Sequence, residues 1–457
     1  MSEQDGVEVG VEVDVAVIGM GPGGEVAANR LMAAGKRVAV IERELIGGEC
    51  AYWACVPSKT VLRPPEACAD VDRAAGVSGA RLDWPATRDY RDVIARHLDD
   101  SGQATDYADR GAVVLRGEAV ITGNGRVQVG EREVLADHLI VATGSAAVIP
   151  PIPGLAEVTT WTNRETYTTA ELPSRVVIIG GSAVGIETAL FLARFGVSVT
   201  LLQRGDQLLT REEPRVGELA TAYLREAGVA VRTGASPLRA YREGAESVLE
   251  LQDGSQARGD VVILATGRTP RTAGLGLQHT GARVGAHGGI VVDEHCRAAD
   301  GVWAIGDATG LMLFTHVAKY QGRIAADAIL GRPRPARYQG VPRVVFGDPE
   351  IAAVGLTRAQ ADRQGLNTVT AELDLAATLT RPVTHERDPR GNLGLLADVD
   401  RGVLVGAWAV APQAGEWIHQ ACLAIRAEIP IEILLDQVAQ FPTYSEGYLL
   451  AVEALDL

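Results

Sequence analysis

Residues Val13–Ile18 form a nearly unbroken apolar run, VDVAVI, which reads as a buried strand. A glycine-rich turn follows, and from about Pro22 to Ala34 the apolar positions take helical spacing. Lys36–Ile41 returns to a strand pattern and ends at Glu42. A strand, a tight turn, a helix and a second strand make a βαβ unit. From about Ala112 to Val141 short strands alternate with polar turns (GNGR, GERE) and close on the apolar run HLIVATG. The opening pattern then returns about 160 residues later: VVIIGG after Arg175, a helix to about Arg194, and the strand VSVTLL. VVILATGR at Val261–Arg268 echoes LIVATGS at Leu139–Ser145, so the second copy is expected to repeat the whole unit. The proline-rich Val148–Gly154 reads as a domain crossing. After WAIGD (Trp303–Asp307) come a helix from about Thr315 to Leu330, a stretch rich in proline and arginine, and a final α+β region over about 340–457.

Composition narrows the class. At 457 residues the chain is too long for one ordinary domain. A net charge of −15 disfavours nucleic acid or an anionic membrane as partner, since both need a basic footprint. No apolar run reaches the roughly 18 residues that span a bilayer. The acidic start MSEQDGVEVGVEVD lacks the basic and apolar regions of a signal peptide, so a cytoplasmic location is expected. Five cysteines are too few for a disulfide framework, which makes a close pair catalytic or metal-binding. Of 43 cationic residues only Lys36, Lys59 and Lys319 are lysines. Against that bias, each retained lysine is informative.

Three motifs carry chemistry. In Gly19-Met20-Gly21-Pro22-Gly23-Gly24, Gly19 permits the tight turn, Gly21 lets the backbone approach a pyrophosphate, and Gly24 allows close helix–strand packing. The helix N-terminus faces the phosphates, and Glu42 can hold a ribose diol. In Gly180-Gly181-Ser182-Ala183-Val184-Gly185 a small serine replaces the middle glycine, and Glu187 follows. The next strand ends Leu202-Gln203-Arg204, with no carboxylate for a ribose, while Arg204 and Arg211 can meet a 2′-phosphate. NADPH is therefore expected over NADH. The third motif runs from Gly47 and Gly48 through Cys50, Tyr52, Trp53 and Cys55 to Lys59. Its two cysteines lie five apart at the expected start of a helix, so the segment must coil for the pair to close. A strained disulfide there is easily reduced, and the helix end favours thiolate. Zinc would want four ligands, and no second pair exists. Two unpaired buried thiols are the remaining reading.

Together these motifs resemble the FAD-dependent pyridine nucleotide–disulfide oxidoreductases, which include lipoamide dehydrogenase, glutathione reductase, mercuric reductase and soluble transhydrogenase. The likeness also covers both ATG segments (Ala142–Gly144, Ala265–Gly267), Ile305–Asp307, and VVFGDPEIAAVGLT at Val344–Thr357. It implies an α/β fold with two Rossmann-like domains, one for FAD (1–155 and 280–335) and one for NAD(P) (156–279). A C-terminal α+β dimerisation domain (336–457) would build a homodimer. FAD contacts would come from Gly19, Gly21, Gly24, Glu42, Gly48, Lys59, Thr143, Gly144, Asp307 and the backbone of His316. Pyridine-nucleotide contacts would come from Gly180, Ser182, Gly185, Glu187, Arg204 and Gly267. The resemblance further implies electron flow from NAD(P)H through FAD to Cys55, with Cys50 attacking the substrate and Lys59 paired with Glu187 near the flavin. A compact ammonium suits an anionic flavin better than a forked guanidinium does.

The sequence departs from the family at its end. The usual His-Pro-Thr, with a glutamate five residues after the histidine, supplies the acid/base for the interchange thiol. Here Phe441 holds the histidine position and Glu446 is kept. Three explanations compete: substrate or solvent supplies the proton, Glu446 acts alone, or the pocket excludes protons. The last would resemble 2-ketopropyl coenzyme M oxidoreductase/carboxylase, which also carries a phenylalanine there. Ala183 stands where several members have a tyrosine lid. Tyr52 and Trp53 either line an aromatic substrate site or pack the loop. No C-terminal cysteine pair is present, which argues against a mercuric reductase. The expected reaction is NAD(P)H-driven reduction of a small disulfide or thiol-linked substrate. The alternatives are dihydrolipoamide oxidation, with poor turnover, quinone or dye reduction that bypasses the cysteines, and a carboxylation like that of 2-ketopropyl coenzyme M oxidoreductase/carboxylase.

Overall fold

The Val11–Ile18 strand is buried on both faces over its second half, as interior strands of parallel sheets are. It pairs in parallel with Val38–Glu42 on one side and Arg132–Val141 on the other. The chain crosses between the first two of these through the Pro22–Ala33 helix, whose Ala27, Ala28 and Leu31 are buried. The structure is a computed structural model and describes residues 10–457. Most of the acidic start discussed above as unlike a signal peptide lies outside these residues.

The chain divides into two compact units. Among the described residues, the first comprises 10–57, Asp92–Val148 and Arg268–Arg337. Its sheet runs in the order Arg297–Ala299, Val302–Ala304, Arg132–Val141, Val11–Ile18, Val38–Glu42, Val113–Arg116. A hairpin, Ala119–Gly123 with Arg126–Val129, extends it from Arg132–Val141. Alternate residues feed separate cores, with Ile18, Ile41 and Leu139 in one and Val17, Val40 and Ile140 in the other.

The second unit comprises Ser58–Arg91, Ile149–Gly267 and Tyr338–Leu457. It holds a parallel sheet in the order Ala230–Arg232, Ser198–Leu202, Arg175–Ile179, Val261–Leu264, Thr160–Trp161. A three-stranded antiparallel sheet spans Pro237–Gly259. The C-terminal region forms a five-stranded antiparallel sheet with helices, in the order Pro342–Val345, Glu350–Gly355, Val403–Ala411, Asn392–Asp398, Thr368–Asp374.

The internal repeat holds bond for bond. The amide of Gly19 donates to Ile41 O and that of Gly180 to Leu202 O, each at 2.8 Å. Ala142 N donates to Ile18 O at 2.8 Å, and Ala265 N to Ile179 O at 2.9 Å. Gly19 and Gly180 have φ of +97° and +114°, and a Cβ on either would strike the carbonyl of Ala142 or Ala265. The glycine turn and the ATG segment are thus one device used twice, as the sequence echo predicts.

The helix Cys55–Arg73 runs through Pro64 and Pro65. In the second unit its later turns carry Glu66, whose carboxyl burial pushes up to about 7, with Arg63 opposing and Glu350 adding. Its folded pKa lies above the unfolded value, so the folded chain binds more protons between the two. Stability from this group is present at low pH and is lost as pH rises through about 7. Glu66→Gln is therefore expected to raise Tm by a few degrees at about pH 8.5, the gain closing by about pH 5, in thermal melts across pH.

Candidate active site

In the first unit the glycine turn leaves its amides to be met. Met20 N donates to Glu42 Oε2 at 2.8 Å, and Glu44 N donates to Glu42 Oε1 at 2.8 Å. The strand-end carboxylate is thereby fixed at the mouth of the turn. Gly48 sits against Gly21, and a Cβ on Gly48 would lie 2.7 Å from Gly21 Cα. This side-chain-free cradle suits a dinucleotide pyrophosphate. Gly24 packs against the Gly19 carbonyl. Thr143 donates from Oγ1 to Arg271 O at 2.6 Å, and Gly144 O accepts from Arg271 N at 2.9 Å.

Asp307 follows the Val302–Ala304 strand. Its Oδ2 accepts from Ser145 Oγ at 2.6 Å, and Arg268 Nε donates to that Oγ at 2.7 Å. Burial pushes the Asp307 carboxyl up, and Ser145 and Arg268 oppose the shift. Arg268 also pairs with Glu49, the residue before Cys50, at 3.4 Å. A half-buried carboxylate with one oxygen so anchored suits the polyol chain of a flavin dinucleotide. His316 is exposed near the start of the Thr315–Ile329 helix and stacks on Phe314 with ring centroids 5.2 Å apart.

Cys50 lies in the short helix Gly48–Tyr52, and Cys55 begins the helix Cys55–Arg73. The chain coils between them, and both sulfurs meet Thr315. The Thr315 hydroxyl donates to Cys50 Sγ at 3.2 Å, and Cys55 Sγ lies 3.2 Å from the same oxygen. A hydroxyl has one proton, so while it donates to Cys50 the Cys55 thiol is the donor to it. At Cys50 the influence of the helix end is opposed by the neighbouring thiol and by burial. Its hydrogen bond with Cys55 and its burial push the thiol up, and Thr315 and Lys319 offset this only in part. Tyr52 does not line a substrate pocket: it is 0% exposed, and its hydroxyl donates to Ile46 O at 3.0 Å.

The second unit repeats the nucleotide turn with a change of chemistry. Gly181 N donates to Gln203 Oε1 at 3.0 Å, the counterpart of Met20 and Glu42. A neutral carboxamide replaces the carboxylate. Arg204 and Arg211, beyond the strand end, are exposed. Ser182 Oγ donates to Ala265 O at 3.1 Å, Gly185 packs on the Gly180 carbonyl, and Gly267 has φ +119°. Lys59 Nζ lies 2.7 Å from Glu187 Oε2. Phe441 is 60% exposed, and Glu446 opens the last helix, Glu446–Glu453. Among the described residues, the buried Glu446 Oε2 has no hydrogen-bond partner.

Sequence reasoning missed Thr315 and the bonding role of Gln203. Thr315 is 260 residues from Cys55 and carries no local signal. Gln203 could have been found by aligning the two strand ends, since it falls where Glu42 falls in the first copy.

Two glycine turns, each opening a helix in a parallel sheet, and a facing cysteine pair define a dinucleotide-dependent redox protein. Residues 13–322 match the profile of the pyridine nucleotide-disulphide oxidoreductases, and residues 341–452 match the dimerisation domain of the same family. The chain belongs to this family, whose members are flavoproteins using FAD and a pyridine nucleotide. It is accordingly an FAD-dependent pyridine nucleotide-disulfide oxidoreductase. It is 36% identical to a mercuric reductase of Acidithiobacillus ferrooxidans, over 97% of this chain and 83% of that protein. It is 30% identical to a dihydrolipoyl dehydrogenase of Bacillus subtilis (strain 168), over 97% and 96%. The solved structure of the HOCl-induced flavoprotein disulfide reductase RclA from Escherichia coli aligns with a TM-score of 0.86 and 28% identity, over 96% of this chain and 99% of that one. No helix among the described residues is long and apolar enough to cross a membrane.

Proposed function

We propose that the protein reduces a small disulfide or related thiol-linked molecule with electrons from NAD(P)H, through a redox-active Cys50–Cys55 pair. The observation that carries this reading is the meeting of both sulfurs on the Thr315 hydroxyl. Bound FAD would supply the two-electron relay between pyridine nucleotide and sulfur, held by Glu42, Gly48, Thr143, Gly144 and Asp307. In the dithiol state Cys50 attacks one sulfur of the substrate disulfide, forming a mixed disulfide and releasing one thiolate, which takes a proton. Cys55 then attacks Cys50 Sγ, releasing the second thiol and closing Cys50–Cys55. The substrate gains the two electrons that NAD(P)H loses. The Thr315 hydroxyl lies where a proton can pass between the sulfurs. Loss of disulfide reduction, with quinone reduction retained, in a Cys50→Ser variant tests the reading.

The pyridine nucleotide in this reading is NADPH, bound at Gly180, Ser182 and Gly185. Gln203 supports it, since a carboxamide does not repel a 2′-phosphate and Arg204 and Arg211 stand beyond the strand end. Gln203→Glu would place a negative charge at that position and a carboxylate ready for a ribose diol. The ratio of kcat/KM for NADPH over NADH is expected to fall about tenfold, read by steady-state kinetics with both coenzymes. A homodimer and a cytoplasmic setting complete the proposal. The dimerisation-domain match supports the homodimer, as do exposed apolar side chains at Ile433, Val438 and Phe441.

The mercuric reductase relatives favour a second reading. Two adjacent thiols make a site for a soft cation, and mercuric ion would accept the two electrons in place of a disulfide. NADPH oxidation that depends on mercuric ion rather than on a disulfide would select it.

A further inference from the structure

Lys59, Glu187 and Phe346 form a closed cluster in the second unit. Lys59 Nζ lies 2.7 Å from Glu187 Oε2 and 4.7 Å from the centroid of the Phe346 ring. The main-chain N–H of Phe346 donates to the other oxygen, Glu187 Oε1, at 3.0 Å. Glu187 is thus gripped at both oxygens, and the ammonium meets a carboxylate on one side and a ring face on another. We propose that Phe346 is a positioning residue for Lys59, aiming Glu187 with its peptide N–H and holding the ammonium with its ring face.

A lysine side chain has four flexible torsions, and one ion pair leaves its head free to swing about the carboxylate. A ring face attracts the cation through its quadrupole and removes that freedom. The ring itself is fixed, since Phe346 follows the strand Pro342–Val345 and packs on a core that includes Ile186, Leu190 and Val345. The cluster also favours lysine over arginine. A guanidinium would take both carboxylate oxygens in a fork and compete with the Phe346 N–H for Oε1. The inference rests on the reading that Lys59 serves the flavin, and it adds the group that fixes it there.

The three lysines make the test direct. In protein labelled with 13C-lysine, NMR gives ε-methylene signals for Lys36, Lys59 and Lys319 alone, with the first and last as references. The Lys59 signal is expected upfield, under the ring current of Phe346. Phe346→Leu should return that signal alone to the ordinary lysine position and slow NAD(P)H-driven flavin reduction about threefold to tenfold. Phe346→Tyr, which keeps the ring face, should preserve both. In a Lys59→Met background, Phe346→Leu should add no further slowing. An unmoved Lys59 signal, or slowing that persists in full without Lys59, would overturn the proposal. Flavin reduction at the wild-type rate in Lys59→Met would instead sink the flavin role of Lys59, while the NMR signal would still report the clamp. Should the leucine variant fail to retain FAD, Phe346→Met serves with the same expectations.

Discussion

Cys50→Ser is expected to cut reduction of small disulfides by on the order of a thousandfold or more, while quinone reduction stays within about twofold of wild type. A serine hydroxyl is not ionised at neutral pH and cannot attack a sulfur or close a disulfide with Cys55. The nucleotide cradles do not involve this side chain, since Gly19, Gly21, Glu42 and Asp307 make their contacts without it. Electrons delivered to FAD would then have no sulfur acceptor and could leave only to an acceptor at the flavin. Parallel assays with a small aromatic disulfide and a water-soluble quinone read the split. Full disulfide turnover in Cys50→Ser would remove the thiol pair from the mechanism. Equal loss of both activities would instead place Cys50 in the fold.

Phe441→His is expected to raise turnover of a disulfide or dithiol by about a hundredfold, the gain typical of a positioned general acid or base. Glu446 is ready for such a partner, because its buried Oε2 lacks a hydrogen-bond donor among the described residues. A ring N–H at position 441 would supply one and orient the imidazole. The wild-type aromatic ring, 60% exposed, has no proton to give or take. In the disulfide-reducing direction the histidine acts as an acid. The gain should therefore be greatest below about pH 6.5 and fade above it, with the opposite limb for dithiol oxidation. A pH–rate profile of both proteins measures this. No gain at any pH, with loss of the native reaction, would show that the pocket works by keeping protons out.

Much of this protein is written in local pattern. Near-continuous apolar runs set the parallel strands of both sheets, and the strand at Val11–Ile18 begins two residues before the sequence-based estimate. The helix predicted to Ala34 ends at Ala33. Glycines at 19 and 180 declare their turns because only glycine tolerates that backbone so close to a carbonyl. The facing of Cys50 and Cys55 also needs little more than a coil between two short helical segments. The helix through Pro64 and Pro65 is different: a sequence rule would end it there, and burial of Val61, Leu62 and Ala69 holds it instead.

Local sequence is enough to specify the two nucleotide turns, the cysteine pair, the retained lysine at 59 and the phenylalanine in place of histidine at 441. Each depends on backbone angles, periodicity or residue type within a few neighbours. Only the tertiary structure brought Thr315 to both sulfurs, set Gln203 on the second turn, buried Tyr52 under the loop and laid Phe346 against Lys59. Those contacts join residues far apart in the chain. They follow from sheet order and close packing, which no local pattern encodes.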